Sequence, residues 1–543
     1  MKWSSANAVA PADFPSGLDQ PAPLAKSRCQ RIWLPALLVL AALLPRALMA
    51  WKLDVICTDG ALYIGLAEAL DRGDLQGGLQ EMNLNVYPAV LVLMHRLGFS
   101  WESGAEVWGV LAASLAVLPL FGWIRRQFNE PVAAVACLLY AVHPKLIGWS
   151  PEIIRDPTFW LLFTLALYLT WRAVTEVRLM LFMAAGATIT LAALTRVEGL
   201  FLIIPLALWT AWRWRALEVG RGRLAWGAVL SVVALPAFVL LVNVTFLRHH
   251  PRWEGIRSTP LLVVQKWSAR LFDWTATGAA AVPTPHKTTL AEEALNGIGR
   301  PLVFTYLRTI ERGMMPHWII LIIVGAWCWR HVGRRRDQQP CLYLTLAILA
   351  GIWIHLGVAR QSSSRYALPI VILTAPYAAL GLMALAQRLT CWWQRTIAPM
   401  ALHGAVCGGM LTILAVYGAT DALTQDYKTR NEWANLGRWI AQAYGPEAMI
   451  VGSHEMTPIV RYYARARCQV FPSDSQAEDA AKLLRDCRPD VVVLSASQMP
   501  VDTRALLLRE SRDLGLEALD GPAIPGDTQR YVVLGKARNG SRF

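Results

Sequence analysis

The feature that most constrains this chain is a succession of apolar runs set between clusters of arginine. The first reads RIWLPALLVLAALLPRALMAW from Arg31, and others follow near 106–124, 131–148, 158–172, 179–195, 197–212, 224–247, 316–330, 341–358, 366–386 and 398–418. Crossing hydrocarbon takes about 20 largely apolar residues, so the pattern predicts a polytopic α-helical membrane protein with roughly eleven transmembrane helices. Composition agrees: 55% of the 543 residues are hydrophobic and 17% charged, against roughly 25% charged in soluble proteins. The 24 tryptophans fit a chain whose indoles sit where hydrocarbon meets water.

The net charge of +14 does not point to nucleic acid, because the arginines lie in short clusters between the apolar runs rather than on one face. Arg125/Arg126, Arg172/Arg178, Arg213/Arg215/Arg221/Arg223, Arg330/Arg334/Arg335/Arg336 and Arg388/Arg395 fall in every second connection. The positive-inside rule then puts the N-terminus in the cytoplasm and, after an odd number of spans, the C-terminus outside. Residues 1–30 are expected to be a cytoplasmic tail rather than a signal peptide, since the polar lead is long. Residues 31–420 form the multi-spanning part, with outer loops 51–105 and 248–315. From about 421 to 543, amphipathic stretches alternate with short apolar runs such as AMIVG and DVVVLS, the pattern of a small α/β domain. It lacks a glycine-rich nucleotide loop and is expected to dock on the outer face. The nine cysteines show no metal-ligand spacing; Cys468 and Cys487 are a candidate disulfide if their segment faces an oxidising compartment.

Chemistry is sought where charges meet the bilayer. Tyr63, Leu66, Ala67 and Leu70 recur at helical spacing after Asp59, predicting an amphipathic helix along the membrane surface. Asp59 lies either at or near that helix's N-cap or serves as a carboxylate able to take a proton from an incoming hydroxyl. In HPKLIGWSPEIIRDPTFW, Asp156-Pro157 reads as a cap, but a cap does not explain Lys145, Glu152 and Arg155 beside it. The outer turn Arg360-Gln-Ser-Ser-Ser-Arg365-Tyr366 carries two guanidiniums suited to gripping a lipid-linked phosphate, with snorkelling to headgroups as the alternative. In Thr195-Arg196-Val197-Glu198 the Arg and Glu are placed to pair. The long loop 248–315, rich in Trp and with His286, Lys287, Glu292 and Glu293, suits a cover over the acceptor.

TDGALYIGLAEAL with the later Tyr87-Pro88, EIIRDPTFWLLFTLALYL, LTRVEGLFL and SRYALPIVILTAPYAALGL together resemble the C-type glycosyltransferases that use polyprenyl-phosphate sugars. The similarity is to the dolichyl-phosphate-mannose protein mannosyltransferases and their bacterial lipopolysaccharide-modifying relatives, over most of residues 31–420. Many relatives carry an adjacent Asp-Glu pair where this chain has Thr58-Asp59, so the assignment rests on Asp59. The resemblance implies an inverting transfer of a sugar from a polyprenyl-phosphate donor to a hydroxyl of a glycan, lipid or protein on the periplasmic side of the inner membrane. It implies Asp59 as general base, Asp156 as its support, and Arg365 with Arg155 or Arg360, helped by Lys145 and Tyr366, around the donor phosphate. Two carboxylates near a phosphate can also hold a divalent cation; the sequence leaves metal use open. The rival readings are a secondary transporter, another lipid-linked glycan-handling protein, or a scaffold. No matching halves with broken apolar segments support a transporter.

Overall fold

In the computed structural model the described residues are 28–78, 85–242, 302–332, 338–359, 362–393, 399–424, 427–453, 456–471, 477–495, 501–519 and 531–536. Residues 1–27 of the expected tail 1–30, most of the loop 248–315, and Arg360 lie outside them.

The chain is mostly helical. α1 (Arg28–Lys52) is followed by α2 (Thr58–Asp71), a single turn at Leu75–Gly78, α3 (Val86–Arg96), α4 (Trp101–Leu115), α5 (Val117–Gln127), α6 (Glu130–Val142) and α7 (Pro144–Trp149). Then come α8 (Asp156–Glu176), α9 (Leu179–Thr195), a 3-10 turn Val197–Leu202, α10 (Ile203–Ala216) and α11 (Arg221–Val242). α12 (Leu302–Met314), α13 (Pro316–Val332), α14 (Gln339–Ala359), a 3-10 turn Ser364–Ala367, α15 (Leu368–Trp393) and α16 (Pro399–Leu423) complete the apolar part. Among the described residues, six helices are long and apolar enough to cross a membrane: Trp33–Lys52, Trp101–Gln127, Asp156–Glu176, Gln339–Gly357, Ser364–Cys391 and Leu402–Leu423. Shorter apolar helices lie at Val86–Arg96, Glu130–Val142, Leu179–Thr195 and Pro316–Cys328. The expected run 131–148 is thus two helices. Pro144 supplies no N–H to continue α6 and forces His143 into extended backbone, with φ −67° and ψ 120°.

The helices pack through small residues and buried aromatics. A Cβ added at Gly325 of α13 would lie 1.8 Å from the Tyr377 carbonyl oxygen, and one at Gly381 of α15 would lie 2.0 Å from that of Leu321. Glycine at both positions therefore lets these two backbones touch. The Trp318 indole N–H donates to Thr374 Oγ1 at 3.1 Å across the same interface. Trp123, Trp160, Trp209 and Trp318 are fully buried, so part of the tryptophan content fills the core rather than the interface. Trp33 and Trp51, near the two ends of α1, are the exposed kind.

One buried cation anchors the breaks. Arg46 of α1 is 0% exposed and donates to the carbonyls of Ala42 (2.8 Å), Ala141 (3.0 Å) and Tyr140 (3.3 Å), and from Nε to Ser150 Oγ at 3.1 Å. The last carbonyls of α6, which Pro144 deprives of helical partners, are satisfied in this way.

Residues 428–536 change architecture. α17 (Lys428–Tyr444), β1 (Met449–Gly452), α18 (Thr457–Ala464), β2 (Arg467–Val470), α19 (Ala477–Cys487), β3 (Val491–Ser495), α20 (Val501–Asp513), β4 (Leu516–Ala518) and β5 (Tyr531–Lys536) form a five-stranded sheet of order β2-β1-β3-β5-β4. β1 is parallel to β2 and β3, and β5 is antiparallel to β3 and β4. Alternate residues face opposite sides. Ile450, Val491 and Val493 bury against Leu436 and Ile440 of α17 and Val460 of α18. Val451, Val492 and Leu494 bury against Leu484 of α19 and Leu507 of α20. Cys468 packs with the first set and Cys487 with the second, so the two are not disulfide-bonded.

This segment sits on the loop that follows α1. Val55 packs with Ala434 of α17 and Ile459 of α18. Tyr462 and Tyr463 pack against a buried cluster of Ile56, Tyr63, Tyr87 and Ile153, and the Ile56 N–H donates to the Tyr463 hydroxyl at 3.3 Å.

Candidate active site

α2 begins at Thr58, not at Asp59. Its N-cap is Cys57, whose sulfur accepts from the Gly60 N–H at 3.3 Å. Asp59 therefore stands in the first helical turn, where the peptide dipoles favour a carboxylate and its own oxygens stay available. Asp59 Oδ2 accepts from Arg365 Nη1 at 2.5 Å, the two side chains being 34% and 21% exposed. Arg365 belongs to the 3-10 turn Ser364–Ala367, where the chain enters α15.

Asp156 is likewise the first residue of α8, and the cap position is Arg155. The Asp156 carboxylate is buried and paired with Arg196, whose guanidinium also grips Glu198 through Nη2 (2.5 Å) and Nε (3.3 Å). The sequence expectation that Arg196 and Glu198 pair is met; that Arg196 also holds Asp156 was not foreseen. The Tyr366 ring links the two pairs, with the Arg196 and Arg365 guanidinium carbons 5.5 and 5.9 Å from its centre. Arg365 also lies 5.9 Å from the Trp149 ring. His355 of α14 meets Tyr366 edge-on at 4.7 Å.

Several buried polar atoms here lack a hydrogen-bond partner: Asp156 Oδ2, Arg365 Nε, the Tyr87 hydroxyl, Trp149 Nε1 and His355 Nε2. Each such group costs about 1–3 kcal/mol, and their concentration around one carboxylate–guanidinium cluster marks a place built for a polar ligand. Burial pushes the Tyr63 phenol well above its ordinary range, with Arg155 opposing, so Tyr63 is a neutral wall. The Arg155 side chain is half-buried and, among the described residues, makes no hydrogen bond or ion pair; its charge reaches Tyr63 and Glu198.

Lys145 is elsewhere engaged: its ammonium pairs with Asp421 at the end of α16, at 3.0 Å. The charge unexplained in sequence, Glu152, is 2% exposed and accepts from Arg430 of α17 at 2.7 and 3.0 Å. Nothing in the local sequence of either residue signals a partner 278 residues away. Among the described residues no group of three or more His, Cys, Asp or Glu could hold a metal ion, and Asp59 and Asp156 each face a guanidinium. Among the described residues the two aspartates are thus engaged by guanidiniums rather than grouped as cation ligands, and no step below runs through a metal.

Residues 86–242 match the family described as dolichyl-phosphate-mannose-protein mannosyltransferase. No curated protein sequence matches the chain. Among solved structures, ArnT from Cupriavidus metallidurans bound to undecaprenyl phosphate is similar over 93% of this chain and 98% of its own, with TM-score 0.56 and 16% identity. The oligosaccharyltransferase AglB from Archaeoglobus fulgidus, in complex with an inhibitory peptide and a dolichol-phosphate, is similar over 86% of this chain and 70% of its own, with TM-score 0.51 and 14% identity. The same organism's oligosaccharyltransferase tethered with an acceptor peptide gives TM-score 0.54 at 12% identity, over 94% of this chain and 74% of its own. The chain is a multi-pass helical membrane protein that shares the fold of these structures, and its sequence resembles the C-type glycosyltransferases.

Proposed function

We propose that this protein is an inverting glycosyltransferase that moves a sugar from a polyprenyl-phosphate donor to a hydroxyl acceptor at the outer, periplasmic surface of the inner membrane. The observation that carries this reading is the Asp59–Arg365 pair beside Asp156, with partnerless buried polar atoms around them. An acceptor O–H attacks the anomeric carbon as the bond from that carbon to the phosphate oxygen breaks. The proton passes to the free oxygen of Asp59, and the departing phosphate carries the electron pair. Arg365, whose Nε has no hydrogen-bond partner, and Arg155, whose side chain is half-buried and unpaired among the described residues, are the cations we assign to that developing charge. Arg196 holds the Asp156 carboxylate in place, so Asp156 serves to orient the acceptor. Segment 421–543 is read as an outer domain, residues 31–420 as the spanning domain, and 1–30 as a cytoplasmic tail.

The test is transfer of radiolabelled sugar from a panel of polyprenyl-phosphate sugars, in membranes carrying the native chain or Asp59→Asn at equal expression. Label in a lipid, glycan or protein fraction with the native chain alone supports the assignment. Absence of transfer from every donor, with cells indifferent to Asp59→Asn, favours transport or scaffolding.

A further inference from the structure

The sequence leads one to expect the C-terminal segment to be an accessory. Its contacts place it closer to the chemistry. Arg430, in the first turn of α17, donates through Nη1 to both oxygens of Glu152 at 2.7 and 3.0 Å. Glu152 belongs to the short stretch 150–155 that ends at Arg155 and delivers Asp156 to the start of α8. That stretch is also tied to α2. The Cys57 thiol donates to the Ile153 carbonyl at 3.7 Å while its sulfur caps the helix bearing Asp59. Burial pushes the Cys57 thiol far up, and Glu152 pushes it further while Arg430 opposes, so it stays protonated and able to donate. A Cβ on Gly60 would lie 2.9 Å from Ile153 Cβ, so the two segments are in direct contact beside Asp59. Three pieces of chain thus meet at one joint: the helix start carrying Asp59, the stretch carrying Arg155 and Asp156, and α17.

We propose that Arg430 is a positioning residue: through Glu152 it fixes the stretch that sets Arg155 and Asp156 relative to Asp59, making the C-terminal segment part of the active-site frame. This rests on the transferase reading above. A carboxylate as deeply buried as Glu152 is costly to leave without a matched partner, so the pair defines one arrangement of the stretch. A shift of about 1 Å in reacting groups costs on the order of 100-fold in rate.

The experiment compares the native chain with Glu152→Gln/Arg430→Gln, which removes the ion pair without stranding a buried charge, and with Arg430→Lys, which keeps the charge. Transfer kinetics are measured on folded protein, together with the rate at which N-ethylmaleimide alkylates Cys57, read by peptide mass spectrometry. The neutral pair is expected to lose roughly 10- to 100-fold in kcat with donor KM nearly unchanged, and to expose Cys57 to faster alkylation. Arg430→Lys recovers part of kcat. A kcat within about twofold of native in the folded neutral pair overturns the proposal, because a merely stabilising contact would lower the unfolding temperature and spare turnover. If the native chain transfers nothing, the transferase reading fails on its own; an unaltered Cys57 alkylation rate in the neutral pair then overturns the joint as well.

Discussion

Asp59→Asn should separate turnover from phosphate binding, because Asp59 and the donor phosphate compete for one guanidinium. In the structure Arg365 spends Nη1 on Asp59 Oδ2 at 2.5 Å, while its Nε has no partner. A phosphate on the far side of that guanidinium would sit about 6 Å from the carboxylate. At an effective dielectric near 20 two unit charges at that distance repel by about 2.8 kcal/mol. The Asp59 side chain is 34% exposed, and solvent reduces the figure to roughly 1–2 kcal/mol. Neutralising Asp59 should therefore tighten binding of a polyprenyl phosphate by about 5- to 30-fold while turnover falls about 100- to 10,000-fold. Quenching of tryptophan emission is a suitable binding assay, since Trp149 lies against Arg365. Loss of both binding and turnover would show that Asp59 merely holds Arg365 in place, and the base assignment would fail.

Arg196→Met should strand the buried Asp156 carboxylate and the partly buried Glu198 and destabilise the protein by about 3–5 kcal/mol, with Arg196→Met/Glu198→Gln recovering part of it; detergent-solubilised unfolding at the native temperature would contradict this. Gly325→Val should prevent α13 and α15 from meeting and yield no monodisperse protein on size exclusion, whereas Gly404→Val, with nothing within 4 Å of its Cβ position, should behave as native. Asp490 accepts from Lys536 Nζ at 2.6 Å and the Met449 N–H at 2.9 Å; burial raises its carboxyl, but these bonds prevail and hold it below the ordinary aspartate value. Its stabilisation is therefore present above the unfolded-state value and lost as pH falls through the folded one, so Asp490→Asn should make the sheet segment easier to proteolyse at neutral pH and flatten its sensitivity below about pH 4.

The apolar runs announced their helices because hydrocarbon admits little else. Where 131–148 splits, the cue was already present in Pro144, yet a span reads the same in composition whether broken or whole. The tryptophans misled in part, since an indole in the core and one at the interface are equally apolar in sequence; buried Trp318 has its N–H answered by Thr374 on another helix. In the site, Asp59, Asp156, Arg365 and Tyr366 attracted notice as polar residues at membrane boundaries. The capping reading of Asp156 missed by one position, and the cap near Asp59 lies two residues earlier, a distinction that rests on whether Cys57 or Asp59 turns toward the free amides. Lys145 looked like a phosphate ligand for want of any sign of Asp421. The Glu152–Arg430 pair was half visible: an unexplained acidic residue in an apolar stretch, its partner hidden in a helix of another architecture.

Arg46 makes the order of biogenesis a structural matter. When α1 reaches the membrane, its guanidinium has the carbonyl of Ala42 within its own helix, whereas Ala141 lies 95 residues further along the chain and Ser150 lies 104. An arginine in a lone helix opposes insertion by up to about 2.5–3.5 kcal/mol at mid-bilayer and less toward an end. α1 alone is thus a weakly committed span, free to sit shallow, until α6 and α7 arrive and the Tyr140 and Ala141 carbonyls, with the Ser150 hydroxyl just past α7, convert that charge from a burden into a lock.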